Sequence, residues 1–249
     1  MALGSLRVGS GVTVPFNSGE IILLAALGGL LALDDRAGWQ SLLAQPVFSA
    51  ALVGWILGEE RVGLATGAVL ELVWLSILPM RGTQRPDAVI GGVVGAGTAC
   101  LIARHTGDER VLFIASVGIL VGLAAAEISG PIGRRAHRVR ESRLGRFAAA
   151  TGTDDTALAG KVFRYLLYSV AFTFALEALQ VLVLLPIGTL AAKQFAAWGQ
   201  AGAVMGAERW VVLLPAIGAG AIAHRYWQSQ VSRYLVVSAL IVLLLLWLK

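Results

Sequence analysis

Long apolar runs separated by short polar turns dominate the pattern of this chain. Some of them approach or exceed the roughly 20 residues that cross a membrane as a helix. These longer runs cover residues 88–103, 111–132, 165–192 and 231–248. Shorter runs, typical of tilted, broken or re-entrant helices, cover residues 21–33, 46–57 and 210–223. Together with residues 63–78, the pattern predicts an all-α polytopic membrane protein with about seven to nine membrane segments.

The composition leaves too little polar surface for a water-soluble protein. The chain is 57% hydrophobic and 14% charged, with a mean hydropathy of +0.77, whereas soluble domains carry about 25% charged residues. Much of the basic charge lies in six arginines between Arg134 and Arg146. In a membrane protein such a cluster keeps a loop in the cytoplasm, and docking of acidic partner domains is a second use. We therefore expect a surrounding lipid bilayer and no bound nucleic acid.

The order of segments predicts one membrane domain over residues 1–249. Its parts are a leader or surface helix (1–19), a first membrane half with the substrate region (20–132), a basic cytoplasmic arm (133–164) and a second membrane half (165–249). We expect Pro186 to break a helix of the second half. The single cysteine, Cys100, excludes an internal disulfide and a cysteine metal site, and we expect no cleaved signal peptide.

One carboxylate, Glu71, lies within the otherwise apolar stretch at residues 63–87. Helical spacing places Gly63, Gly67 and Glu71 on one face, which Trp74 continues. The two glycines allow a neighbouring helix to approach closely where the carboxylate points inward. Because a charge inside a membrane is costly unless it is paired or hydrated, Glu71 is the leading candidate for a functional residue.

A second glutamate, Glu177, is also followed by an apolar run that ends in a proline. The segments ELVWLSILP (71–79) and EALQVLVLLP (177–186) share this order. Carriers often repeat broken helices in their two halves, so the echo is consistent with an inverted repeat. A single match of this kind leaves the repeat open.

Several short motifs follow one another between residues 28 and 98. They are LDDRAGWQ at 33–40, a proline-started helix that ends in Gly-Glu-Glu, LELVWLSILP at 70–79 and RPD at 85–87. In this order and spacing the chain resembles the membrane IIC component of the mannose/fructose/sorbose class of bacterial phosphoenolpyruvate-dependent sugar phosphotransferase systems (PTS). The resemblance implies a multi-pass permease subunit in the bacterial cytoplasmic (inner) membrane.

The resemblance also implies a reaction and a set of partners. It implies that a sugar substrate crosses the membrane while the cytoplasmic IIB component phosphorylates it, with IIA as a second cytoplasmic phosphocarrier. A second membrane subunit, IID, and a trimer of IIC–IID pairs are implied as well. The IIC chain itself is then expected to hold no phospho-acceptor residue, no cofactor and no metal, and whether such a subunit counts as an enzyme stays open.

The substrate region of the family corresponds to four polar positions of this chain. They are Asp35, Gln40, Glu71 and Asp87. Sugar hydroxyls both donate and accept hydrogen bonds, so carboxylates and an amide are suitable partners, and Trp39 or Trp74 offers an aromatic face.

The chain departs from the family pattern at two arginines, Arg81 and Arg85. Their guanidinium groups either pair with Glu71 or Asp87 or suit an anionic substrate. The identity of the sugar therefore stays open.

Structural roles compete with binding roles at each of these positions. Asp87 follows a proline and precedes a helix, where aspartate is a common cap. Glu71 has an alternative role as the partner of an arginine on another helix, and Trp74 as a packing residue. Asp35 and Gln40 also suit a turn between short helices.

The remaining polar residues are weaker candidates. Glu127 and Glu177 are second-line candidates for binding. The histidines His105, His137 and His224 are expected to be surface groups without an acidic partner. Two other function classes stay open, namely a non-transporting membrane scaffold or sensor with the same fold and an ion-coupled carrier whose carboxylates titrate.

Overall fold

The computed structural model describes residues 17–36, 42–75, 86–106, 111–150 and 155–200. This part of the chain consists of α-helices joined by turns, and it confirms the predicted all-α fold. The helices are α1 (Ser18–Arg36), α2 (Pro46–Leu57), α3 (Glu60–Leu75), α4 (Ala88–Thr106), α5 (Val111–Ala150) and α6 (Asp155–Gln200). Several predictions fall outside the described residues; they concern Trp39, Gln40, Pro79, Arg81, Arg85, His224 and the segments at 1–16, 210–223 and 231–248.

Helices α2 and α3 form a tight hairpin. Pro46 begins α2, at a position where a missing N–H costs nothing, and Gly58 ends it with a φ of 73°, which glycine adopts without strain. A Cβ atom added at Gly63 would lie 2.6 Å from the carbonyl oxygen of Ala50, and one added at Gly67 would lie 2.7 Å from that of Pro46. The close approach predicted for the glycine face of α3 is confirmed.

Helix α4 is the centre of the described structure, and it contacts each of the other five helices given above. Every residue from 89 to 103 is buried. A Cβ atom added at Gly95 would lie 2.8 Å from the carbonyl oxygen of Gly118 in α5, and one added at Gly122 would lie 2.6 Å from that of Gly91. Small residues on both sides thus let the two helix backbones touch, as in tightly packed membrane helices.

Helices α5 and α6 contain the two segments that are long and apolar enough to cross a membrane, by length and composition, within the described residues. These segments are Phe113–Arg143 and Gly160–Lys193. Residues 133–150 of the predicted basic arm continue α5 as helix. Whether this arm lies in the cytoplasm stays a prediction.

The prediction that Pro186 breaks a helix is wrong, because α6 continues through it to Gln200. Proline removes one backbone hydrogen bond and crowds the preceding turn. On either side of it, however, Leu185 and Thr189 are fully buried, so packing against neighbouring helices holds both flanks in place. The number of membrane segments and the inverted repeat stay predictions.

The exposed surface of α6 is rich in apolar side chains, although Lys161 and Arg164 near its beginning are exposed too. Its exposed large hydrophobic side chains are Val162, Phe163, Leu166, Leu167, Tyr168, Val170, Leu179, Leu182, Val183 and Ile187. In water such a surface drives association or aggregation, whereas hydrocarbon solvates it. This surface therefore fits the predicted bilayer environment.

Candidate functional site

A cavity of about 790 Å³ lies where the C-terminal end of α1, the start of α2, the start of α4 and the middle parts of α5 and α6 meet. This volume is typical of sites for small molecules. The sequence-predicted residues that line it are Asp35, Glu71, Trp74 and Asp87. The structure thus brings together the four leading sugar-binding candidates that lie in its described residues, whereas the second-line candidates Glu127 and Glu177 do not line this cavity.

Glu71 of α3 reaches the beginning of α2. Its Oε2 atom accepts a hydrogen bond of 3.4 Å from the backbone N–H of Val47. The first N–H groups of a helix have no partner within the helix, and Gln45, at the N-cap of α2, makes no side-chain capping bond. A carboxylate at this place also interacts favourably with the helix dipole. Glu71 therefore caps α2 from a neighbouring helix while it lines the cavity.

The opposite end of α2 is capped by Arg104 of α4. Its Nε atom donates to the carbonyl oxygen of Leu57 over 2.8 Å, and its Nη1 atom donates to Oε1 of Glu20 over 2.8 Å. With 12 residues, α2 is roughly 18 Å long. The first N–H and last C=O groups of a helix have no partner within it, and side chains from other helices bond to such groups at both ends of α2.

Asp87 immediately precedes α4, and its carboxylate has more hydrogen-bond partners than that of Glu71. Oδ1 accepts a hydrogen bond of 3.2 Å from the N–H of Ile90, which is the bond that an N-capping aspartate makes. Oδ2 accepts from the guanidinium of Arg36 and lies 3.1 Å from Oγ of Ser129. Asp87 therefore has the predicted capping role, and the same side chain contributes to the cavity wall.

Arg36 and Glu177 complete a ring of polar side chains around Asp87. The guanidinium of Arg36 bonds to both carboxylates. Gln180 donates through Nε2 to Oε2 of Glu177 over 2.9 Å, and its Oε1 accepts from Ser129 over 2.6 Å. These five side chains are called the buried ring below, since Glu177 and Ser129 are fully buried and Asp87 and Gln180 nearly so.

The buried ring is the part of the site that sequence reasoning missed. Arg36 is not among the predicted residues, and Glu177 is a second-line candidate. Arg36 is 51 positions from Asp87 and 141 positions from Glu177, so no local pattern links them. The available signal was Arg36 itself, a guanidinium at the end of an apolar run. Glu127, the other second-line candidate, is exposed and does not line the cavity.

Trp74 packs against α4 as well as lining the cavity. The outer edge of its indole ring lies over Gly91, where a Cβ atom would clash with it. Leu70 and Ile119 pack beside the same ring. The packing role predicted as the alternative for Trp74 is therefore present.

Asp35 lies at a more exposed part of the cavity. Its side chain is 58% exposed, and its Oδ2 atom lies 4.0 Å from Nε of Arg36.

Helix α5 gives the cavity a basic wall formed by Arg134, His137 and Arg140. The Nη1 atom of Arg140 donates to Oγ1 of Thr173 in α6 over 2.9 Å. His137 is half exposed, but the expectation that it lacks an acidic partner is wrong, because its Nδ1 atom lies 3.3 Å from Oε1 of Glu141. The cavity is therefore lined by carboxylates from α1, α3 and the start of α4 and by cations from α5 and from Arg36 of α1.

Comparison with known proteins gives a family match over most of the chain. The model of a family described as "PTS system sorbose-specific iic component" matches residues 19–246. Two curated relatives come from Escherichia coli (strain K12). "Putative N-acetylgalactosamine permease IIC component 2" is 44% identical over 84 residues, which are 32% of this chain and 63% of that protein. "PTS system mannose-specific EIIC component" is 24% identical over 106 residues, which are 43% of this chain and 36% of that protein. The matches therefore span less than two thirds of these relatives.

A solved structure described as "Structure of membrane protein" has a similar fold. Its TM-score with this chain is 0.58 at 13% sequence identity, and the match covers 94% of this chain and 97% of that one. At this identity the likeness concerns the fold alone.

Proposed function

The chain belongs to the family of the PTS system sorbose-specific IIC component, and from this premise we propose that it is the membrane subunit of a sugar permease. It is a helical membrane protein of a family with permease relatives. In the proposed function it binds a sugar, translocates it and presents it for phosphorylation by a partner IIB component.

The proposal rests mainly on the hydrogen-bond acceptor positions of Glu71 at the cavity. A carboxylate has about four acceptor positions, and one hydrogen bond from Val47 uses one of them. Among the described residues, no cation forms an ion pair with Glu71. A sugar that enters the cavity therefore finds a fixed carboxylate with acceptor positions left for hydroxyl groups, next to the aromatic ring of Trp74.

The other predicted residues take different parts in the proposed site. Asp35 is 58% exposed and is proposed to contact a second hydroxyl group. Asp87 is held by Arg36 and by its capping bond, so it binds a sugar only by exchanging one of these partners. Gln40 keeps its proposed role as an amide that donates and accepts.

Transport in the proposed mechanism follows from alternating access to this cavity. The bound sugar is exposed first to one side of the membrane and then to the cytoplasmic phosphohistidine of IIB. The chain itself holds the sugar and excludes water. It carries no covalent phosphate in this scheme.

The proposed partners and location follow from the family. They are a IID membrane subunit, cytoplasmic IIA and IIB components, and a trimer of IIC–IID pairs in the bacterial inner membrane. The chain would cross that membrane several times, with the arginines of the arm on the cytoplasmic side. The names of the relatives make N-acetylgalactosamine and mannose the first sugars to test.

Uptake of labelled sugars tests the proposed function. Cells that carry the full set of partner genes are compared for wild type, Glu71→Gln and Glu71→Ala, with both uptake and sugar phosphorylation measured. Loss of a charge-assisted hydrogen bond is worth about 1.5–3 kcal/mol, so we expect at least about tenfold weaker uptake in both variants. Glu127→Gln is the matched control, since this exposed glutamate does not line the cavity.

The possible results separate the function classes. Uptake without phosphorylation that requires an ion gradient would identify an ion-coupled carrier. Normal membrane insertion without uptake of any sugar by the wild type would identify a scaffold or sensor. Unchanged uptake in both Glu71 variants would remove Glu71 from the site.

A further inference from the structure

The basic wall of the cavity is not needed for a neutral sugar. Arg134, His137 and Arg140 are spaced three residues apart on α5, which places them on one face of the helix, and all three line the cavity. Arg135 and Arg138 lie between them in the sequence, but they are exposed and do not line the cavity. The cluster of arginines is therefore divided by the helix into a cavity-facing set and an outer set.

Arg140 is held in position by α6 on both its side chain and its backbone. Its guanidinium donates to Thr173 over 2.9 Å, and its carbonyl oxygen accepts a hydrogen bond of 2.7 Å from the hydroxyl of Tyr165. A guanidinium has five N–H donors, and Thr173 receives one of them. Within the described ranges, no carboxylate forms an ion pair with Arg140. Arg36 differs in this respect, because two carboxylates neutralise it.

The Arg36 guanidinium lies close to the basic wall. Gly130, Gly133 and Ala136 line the same cavity, and a Cβ atom added at Gly133 would lie 3.2 Å from Nη2 of Arg36. Asp35, Glu71 and Asp87 line this cavity as well. One cavity therefore offers cations to an anionic group and carboxylates to hydroxyl groups.

We propose that Arg134, His137 and Arg140 form a subsite for the phosphoryl group of a phosphorylated sugar, in the same cavity as the carboxylates that receive its hydroxyl groups. Arginine binds phosphate oxygens with two parallel charge-assisted hydrogen bonds. The guanidinium of Arg140 is suited to this, because α6 holds it and no carboxylate of the described residues pairs with it. The inference rests on the proposed function, in which a phosphorylated sugar arises at this cavity. It assigns the basic wall to binding the product rather than to membrane orientation alone.

Equilibrium binding to the full-length chain with its membrane partner tests the subsite. The complex is reconstituted in phosphatidylcholine nanodiscs, and the probes are mannose, mannose 6-phosphate, N-acetylgalactosamine, its 6-phosphate and inorganic phosphate. For Arg140→Gln we expect at least about tenfold weaker binding of the sugar phosphates and unchanged binding of the neutral sugars. Arg138→Gln, the matched control on the outer face of α5, is expected to bind every probe like the wild type.

A second variant separates phosphate binding from a structural role of Arg140. Thr173→Val removes the same hydrogen bond between α5 and α6 but keeps the guanidinium. It is expected to weaken sugar phosphate binding less than Arg140→Gln. Equal losses in the two variants would mean that Arg140 only positions α6, and this would overturn the subsite.

Inorganic phosphate and an anionic lipid test whether the basic wall binds a sugar phosphate or another phosphate-containing molecule. Inorganic phosphate that binds as tightly as a sugar phosphate would overturn the proposal in favour of a general anion site. An effect of Arg140→Gln that appears only in nanodiscs with phosphatidylglycerol would overturn it in favour of a lipid headgroup. If neutral sugars bind, and sugar phosphates bind equally well to the wild type and to Arg140→Gln, the subsite is overturned. The proposed function would then still stand. Wild type that binds none of the sugars or sugar phosphates would overturn both.

Discussion

Glu71 and Asp87 line the same cavity, yet the protein uses their acceptor positions to very different degrees. Glu71 accepts one backbone hydrogen bond at the start of α2. Asp87 caps α4, accepts from Arg36 and lies within hydrogen-bond distance of Ser129. Both carboxylates cap a helix, but one remains open to the cavity and the other is enclosed in the buried ring.

The difference shows how one cavity separates a binding group from a supporting group. A carboxylate in a low-dielectric interior is stabilised only when partners replace its lost hydration. Asp87 has these partners, and its side chain is 2% exposed, so a sugar must displace one of them. Glu71 is half-buried, and one hydrogen bond, from Val47, reaches it from the described residues. The comparison therefore assigns ligand binding to Glu71 first and the fixing of the cavity shape to Asp87.

Removal of the ring cation is expected to have the largest effect on stability. Arg36→Met leaves Asp87 and Glu177 buried without their shared guanidinium, and loss of one partner of a buried ion pair costs about 3–5 kcal/mol. Thermal unfolding of the detergent-solubilised protein measures this loss. Arg135→Met, at an exposed position of α5, is the control. Equal unfolding temperatures for the two variants would contradict the structural role of the ring.

A methyl group added between α2 and α3 is expected to lower stability and to weaken sugar binding through Glu71. In Gly67→Ala the added Cβ would lie 2.7 Å from the carbonyl oxygen of Pro46, and such overpacking costs about 1–3 kcal/mol. The shift also moves Glu71 away from Val47, so sugar binding should weaken. Gly160→Ala is the control, since nothing lies within 4 Å of that position. Normal stability and binding in Gly67→Ala would show that the tight hairpin does not position Glu71.

Neutralising Glu71 is expected to change stability far less than function. Glu71→Gln keeps an oxygen that accepts from Val47 but loses the charge near the helix dipole, an interaction worth about 0.3–1 kcal/mol. Unfolding and sugar binding measured on the same preparation give the two effects. A stability loss as large as that of Arg36→Met would end the distinction between the two carboxylates.

Asp35 is expected to give the smallest change in stability. Its side chain is 58% exposed, and substitutions at such positions usually change the free energy of unfolding by less than about 0.5 kcal/mol. Asp35→Asn should therefore unfold like the wild type, and any weaker sugar binding then reports a direct contact. A clear loss of stability would place Asp35 in the supporting structure with Arg36.

Much of the first half of the fold was predictable from local patterns. The predicted segment at residues 46–57 coincides with α2 because proline and glycine mark its two ends. The glycine face of α3 was predictable because small residues at helical spacing allow close packing. The continuation of α6 through Pro186 was not, because burial of its flanks outweighs a local breaking signal.

Candidate residues for the site were predictable as chemical types, but their division of roles was not. A carboxylate within an apolar run identified Glu71, and the likeness to PTS IIC components identified Asp35 and Asp87. Arg36 and Glu177 were not identified in this way. Their role depends on the ion pair between them, and the sequence does not show that these two residues meet. Of the arginines in the arm, neither composition nor charge distinguished Arg140 from Arg138.

The sequence by itself determined the helical class, the family, the ends of α2 and the presence of a costly carboxylate at residue 71. These features depend on interactions within a few turns of one helix or on motifs in linear order. The tertiary structure decided which carboxylates are already bound and which cations line the cavity. The physical reason is distance along the chain, because Arg36 meets Glu177 across 141 positions and only packing around α4 brings them together.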